Sequence, residues 1–212
     1  MPVTCRAPIW YAADGTFESC KILGPKCLRE SEDVRFEKCR IVSPEFAWLC
    51  RNVSLRNTQL DSEYPFFRSE KVTAEQLQMN AKYSFQYVHG LQLKDSELKT
   101  KDAFWHCSNG IIENCIINGE YLAWYSENLT FIHCRIIGTQ PFCYCKNLKL
   151  IDCEMLQADL AFEYSDVCAD IRGNIESVKN PRSGSITADS FGNIVLDTDT
   201  AYPCGASIEI RK

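Results

Sequence analysis

A period of 19 residues, read from Gly15 to Asp166 as eight uninterrupted repeats, constrains this chain more than any other feature. Position 3 of the repeat, counted from Gly15, holds Phe17, Phe36, Leu55, Ala74, Leu93, Ile112, Phe131 and Leu150. Position 8 holds Ile22, Ile41, Leu60, Met79, Leu98, Ile117, Ile136 and Met155. At an apolar content of 45%, sixteen apolar residues in sixteen positions arise by chance roughly three times in a million.

Within one repeat the apolar spacing is two at Leu129 and Phe131 and again at Cys134 and Ile136. A turn over Ile137 to Pro141 follows, and a third short segment runs from Phe142 to Cys145. Short alternating segments separated by bends, with no helical spacing, describe one coil of an all-β, single-stranded parallel β-helix, a solenoid of 19-residue coils. Stacked coils turn each position into a ladder, with ~4.8 Å between neighbours. Residues 1–14 read as a partial first coil, 15–166 as eight regular coils, and 167–212 as irregular closing coils, with strand-like runs at 185–188, 193–196 and 206–210.

Thirteen cysteines with three scattered histidines (His89, His106, His133) and no CxxC point away from a metal site, and no cofactor is expected. Eight of the cysteines fall at positions 6 and 17, where a thiol serves as a compact filler at a bend. Neighbours such as Cys115 and Cys134 come within disulfide range, yet an odd cysteine count without an export signal favours free thiols in the cytoplasm. A net charge of −5 argues against nucleic acid, and no apolar run of ~18 residues suits a membrane. Position 19 holds Asp33, Asn52, Asn109, Asn128, Asn147 and Asp166, residues suited to left-handed corners.

Residues Ile9, Trp10, Tyr11 and Asp14 continue positions 14, 15, 16 and 19, so the chain is expected to start inside a coil. An uncapped solenoid end exposes strand edges, which makes self-association through that end one route to a homo-oligomer.

The repeat, with the segments Asp102-Ala103-Phe104-Trp105, Gly119-Glu120-Tyr121-Leu122, Tyr125-Ser126-Glu127-Asn128-Leu129, Leu160-Ala161-Phe162-Glu163-Tyr164-Ser165 and Ser177-Val178-Lys179-Asn180-Pro181, resembles the right-handed parallel β-helix of the pectin-lyase-like superfamily. More narrowly it is similar to a bacterial family of unknown function within it. The resemblance implies the fold and brings no catalytic residues with it.

Position 14 is always apolar, and position 15 holds Trp48, Phe67, Gln86, Trp105, Trp124, Cys143 and Phe162. Two adjacent columns cannot both point inward on a straight strand, so position 15 is expected to form an outer aromatic stripe. The binding candidates are Trp48, Phe67, Trp105, Trp124 and Phe162, facing a glycan, a protein partner or a second copy. Position 16 places His106, Tyr125, Tyr144 and Glu163 on successive coils over roughly 14 Å, a candidate acid-base set. In position 5, Asp95, Asn114, His133 and Asp152 form a second polar ladder. No clustered carboxylates and no inserted loops wall a groove, so a non-catalytic binding or assembly scaffold is the leading expectation. A polysaccharide hydrolase or lyase using His106 and Glu163 is the alternative.

Overall fold

The computed structural model describes the backbone of residues 2–4 and all of residues 9–212; Cys5 and the other residues of 1–8 lie outside that description apart from this backbone. Every strand pairing is parallel, and no helix occurs among the described residues. The fold is a parallel β-solenoid of about 10 turns with coils about 19 residues apart. Each regular coil contributes a six-residue strand such as Arg51–Arg56 and a three-residue strand such as Gln59–Asp61. Val53 pairs with Val34 before it and Val72 after it, so each apolar position becomes a continuous row.

The third side of the coil is a turn segment rather than the expected strand. Residues at positions 5, 14, 16 and 19 adopt left-handed backbone, including Phe66, Phe85 and Phe104 at position 14 and Arg68, Tyr87 and His106 at position 16. Each such non-glycine residue costs about 1–2 kcal/mol. Amide-to-carbonyl bonds to the neighbouring coil, such as His106 N–H to Trp124 O at 3.0 Å, hold the geometry in every turn. Because the backbone bends at position 14, positions 13 and 14 both enter the core. Phe46 and Ala47 are fully buried, as are Ala103 and Phe104.

Phenylalanine rings form the spine of the core. Phe66, Phe85 and Phe104 stack at 4.7 and 5.4 Å. Where position 14 shrinks to Ala123, Phe131 swings in from position 3 and meets Phe104 at 6.1 Å and Phe142 at 5.1 Å. Where it shrinks to Ala47, Phe46 from position 13 bridges Phe36 and Phe66 at 5.5 Å each. A ring from a neighbouring column thus fills the space left by the alanine, as close packing requires.

The corner cysteines do more than fill space. At position 17, Ser69 Oγ accepts the Cys50 N–H at 3.0 Å and donates to Ala47 O at 2.7 Å. Ser165 does the same between Cys145 N–H and Phe142 O. Cys145 Sγ lies 3.1 Å from Ala123 O, and Cys134 Sγ lies 3.4 Å from Ile112 O. The thiols therefore stand where serine or threonine stands in other coils, as weak donors to corner carbonyls. The neighbours Cys115, Cys134 and Cys153 are free thiols.

Towards the C-terminus the coil changes. The strands lengthen to Asp166–Lys179 and Ser183–Val195, where Asp166 pairs with Ser183, 17 residues on. The separate runs expected at 185–188 and 193–196 are one strand, and Ser207–Ile210 pairs alongside it. At the other end Pro2–Thr4 pairs with Lys21–Leu23. The expected uncapped N-terminal end falls on residues outside those described.

Candidate functional site

The turn side of the coil carries a continuous aromatic face. At position 15 the indoles are half-buried, and each donates its N–H to a carbonyl of the next coil. Trp48 Nε1 donates to Tyr64 O at 2.6 Å, Trp105 to Tyr121 O at 2.6 Å, and Trp124 to Gln140 O at 2.8 Å. Gln86, mostly buried in the same column, replaces the indole by donating from Nε2 to Asp102 O at 3.0 Å while accepting the Tyr64 hydroxyl at 2.7 Å. This explains the residue choice: a corner carbonyl without a ladder partner needs a side-chain donor at this reach. Arg29 occupies the column as a cation between the Trp10 and Trp48 rings, at 5.5 and 5.4 Å.

Position 16 is the outermost row. Tyr87, His106, Tyr125 and Tyr144 stack at 4.7, 5.2 and 4.6 Å, each pair within about 10° of parallel. Arg68 covers the free face of Tyr87 at 5.6 Å. At the far end Tyr144 meets Tyr164 at 5.6 Å, and Tyr164 meets Tyr202 at 5.3 Å. The rings spend their faces on one another and turn edges, hydroxyls and the imidazole outward. Partial burial in this stack holds the His106 imidazole below its ordinary range. Burial raises the Tyr144 and Tyr64 phenols.

In the last regular coil the turn segment runs one residue later than the repeat predicts, although Leu148 still pairs with Val167 at a spacing of 19, and this changes two candidates. The amides of Tyr87, His106, Tyr125 and Tyr144 donate to the carbonyls of Trp105, Trp124, Cys143 and Glu163 in turn, so Glu163 occupies position 15. Tyr164 takes the place in position 16 that the sequence spacing gave to Glu163. Phe162 moves to position 14, fully buried and stacked on Phe142 at 5.8 Å, instead of joining the outer stripe. Glu163 is mostly buried and paired with Lys179 Nζ at 2.9 Å. His106, Tyr125 and Tyr144 are neighbours as expected, whereas Glu163 adjoins only Tyr144, from the next column. Asp166 also leaves the Asn column, which ends in the hydrogen-bonded run Asn109, Asn128, Asn147 at 2.9 and 2.8 Å.

The stripe residues Trp48, Phe67, Trp105 and Trp124 lie on the face, half-buried rather than fully exposed. The sequence reading missed the phenols of position 12, Tyr64, Tyr83 and Tyr121, which flank the indoles: Tyr121 meets Trp124 edge-on at 5.6 Å. In position 5, Asn114 bonds Asp95 at 3.1 Å and His133 bonds Asp152 at 2.9 Å, with Arg172 on the other Asp152 oxygen at 2.9 Å. These are partnered left-handed corners. No cluster of three metal-ligating side chains occurs among the described residues.

The model of a family described as a protein of unknown function, DUF3737, matches residues 1–209. The chain belongs to that family. No curated protein matches. Among solved structures, the DUF3737 chain is similar to the catalytic domain of a GH87 alpha-1,3-glucanase in complex with nigerose, at 7% identity and a TM-score of 0.40 over 91% of this chain and 53% of that one. It spans about half the length of that glucanase chain. It is also similar to HetL, a pentapeptide repeat protein involved in heterocyst differentiation regulation from the cyanobacterium Nostoc sp. strain PCC 7120, at 11% identity and 0.40 over 90% and 86%.

Proposed function

We propose that this DUF3737 chain is a non-catalytic scaffold whose aromatic face docks a protein partner. The observation that carries the reading is the stacked ladder of exposed Tyr87, His106 and Tyr125 with half-buried Tyr144, beside the stacked Trp105 and Trp124. Rings locked by their neighbours lose little conformational freedom on binding, and tyrosine and tryptophan are the side chains that most enrich docking surfaces. A glycan partner is less favoured, because sugar rings stack on open aromatic faces and these faces are covered by one another. An enzyme using His106 and Glu163 is also less favoured. Glu163 is committed to Lys179, lies in another column and stands three coils from His106. Kinship with the pectin-lyase-like superfamily and a cytoplasmic setting belong to the same proposal; a chain that seals most of its described thiols in its interior suits a reducing compartment.

A photoreactive phenylalanine analogue placed at position 125 in the full chain, and irradiated in cells, tests the reading. Protein adducts are expected there and not from the same analogue at Gln59 on the short-strand sheet. Equal or absent adduct formation at the two positions overturns it.

A further inference from the structure

The aromatic face is complementary to itself in one register and not in the adjacent ones. Because columns repeat along the rod, a two-fold axis in the plane of the face and perpendicular to the rod lays each column on the same column of a second copy, with the coil order reversed. Set midway between the coil bearing Lys101 and the coil bearing Glu120, that axis brings Lys101 opposite Glu120, Asp102 opposite Tyr121, Trp105 opposite Trp124 and His106 opposite Tyr125. The pairs are cation to carboxylate, carboxylate to phenol, indole to indole and imidazole to phenol. The next coils add Tyr87 opposite Tyr144, and then Arg68 opposite Tyr164.

These residues share one continuous surface. Lys101 Nζ stands 5.7 Å over the Tyr121 ring, Tyr121 meets Trp124, and Trp124 meets Tyr125 at 6.4 Å. Lys101, His106, Glu120 and Tyr125 are exposed. Within one chain Lys101 and Glu120 already pair at 3.6 Å, so a second copy would complete a four-charge square of alternating sign. The adjacent registers lose the match, and the register two coils earlier, which sets Glu63 against Lys82, replaces the indole pair by Phe67 against Gln86. An axis one coil earlier sets Lys82 against Lys101, and an axis through either coil sets Lys101 or Glu120 against its own copy. One coil later, Glu120 meets Thr139 and Trp124 meets Cys143.

We infer that the aromatic face is the interface of an antiparallel homodimer centred between these two coils. The inference rests on reading the face as a docking surface, and it names the partner as a second copy of this chain.

Sedimentation velocity on the full chain across a concentration series, with charge-swapped variants, tests it. Lys101→Glu and Glu120→Lys each place like charges opposite one another and should weaken self-association by about tenfold. Their equimolar mixture should recover wild-type association, because the carboxylates at 101 and 120 of one variant then face the ammonium groups at 120 and 101 of the other. Tyr125→Ser should weaken association without a charge change. A wild-type chain that stays monomeric at about 100 μM overturns the inference, well above the affinity expected of a specific interface. So does a dimer indifferent to all three substitutions. In either case adducts to other proteins from position 125 would leave the docking face standing, and only the choice of partner would fall.

Discussion

Removing one ring from the middle of the outer ladder gives a worked test of the site's construction. Tyr125 is 47% exposed and stacks on His106 at 5.2 Å and on Tyr144 at 4.6 Å. Each stacked pair contributes about 0.5–1.5 kcal/mol beyond area burial. Because half the ring is solvated, Tyr125→Ala should cost about 1–2 kcal/mol in urea unfolding. Tyr125→Phe retains both stacks and should cost a small fraction of that. The same substitution opens one side of His106. The folded chain holds that imidazole below its ordinary value by desolvation, so the unfolded chain binds the proton more readily. Wild-type stability should therefore rise with pH between the lowered folded value and the ordinary value near 6.5, and the loss should saturate below the folded value. In Tyr125→Ala, the His106 resonance in an NMR titration should move up towards the ordinary value, and the pH slope should flatten. An unchanged His106 titration together with unchanged stability would refute the stacked geometry.

Phe104→Ala removes a fully buried ring from the phenylalanine spine and should cost about 3–5 kcal/mol in the same assay, a larger loss than at Tyr125. A thiol reagent in native buffer should label exposed Cys168 first and half-buried Cys20 and Cys204 more slowly, whereas buried thiols such as Cys107, which burial pushes up to about 12, should react only on unfolding. Asp166 is held below the usual carboxylate range by the Arg182 guanidinium, so its stabilisation is present above the unfolded value and is lost as pH falls through the folded one. Arg182→Gln should then move acid unfolding, followed by circular dichroism, to higher pH.

Repetition made most of the fold legible. A one-coil motif read eight times fixes which residues stack, and the rows at positions 3 and 8 are buried from Ile22 to Met155. What it did not reveal was the conformation of the third side, because left-handed backbone at Phe66, Phe85 or Phe104 contradicts the preference of bulky residues. There the coil-to-coil ladder outweighs local propensity, and two adjacent columns enter the core. The one-residue displacement of the turn in the last coil escaped a strict 19-residue count. It was nonetheless visible in Phe85-Gln86-Tyr87, Phe142-Cys143-Tyr144 and Phe162-Glu163-Tyr164, where a Phe-x-Tyr triplet keeps its meaning while the spacing shifts from 19 to 20. Following that triplet puts Tyr164 in the outer row and removes Glu163 from it. The interchange of Cys with Ser and Thr at positions 6 and 17 is the sign of a hydrogen-bonding role that reading the thiols as compact fillers passed over.

Hydroxyl-radical footprinting of the full chain, in cells and as dilute purified protein, tests the central claim that the aromatic face is an occupied docking surface. Tyr87, Trp105, Tyr125 and Tyr144 should lose reactivity severalfold in cells, while the exposed Ile111 and Ile116 on the two sheets keep theirs. Equal reactivity of the aromatic ladder in both settings would contradict the account.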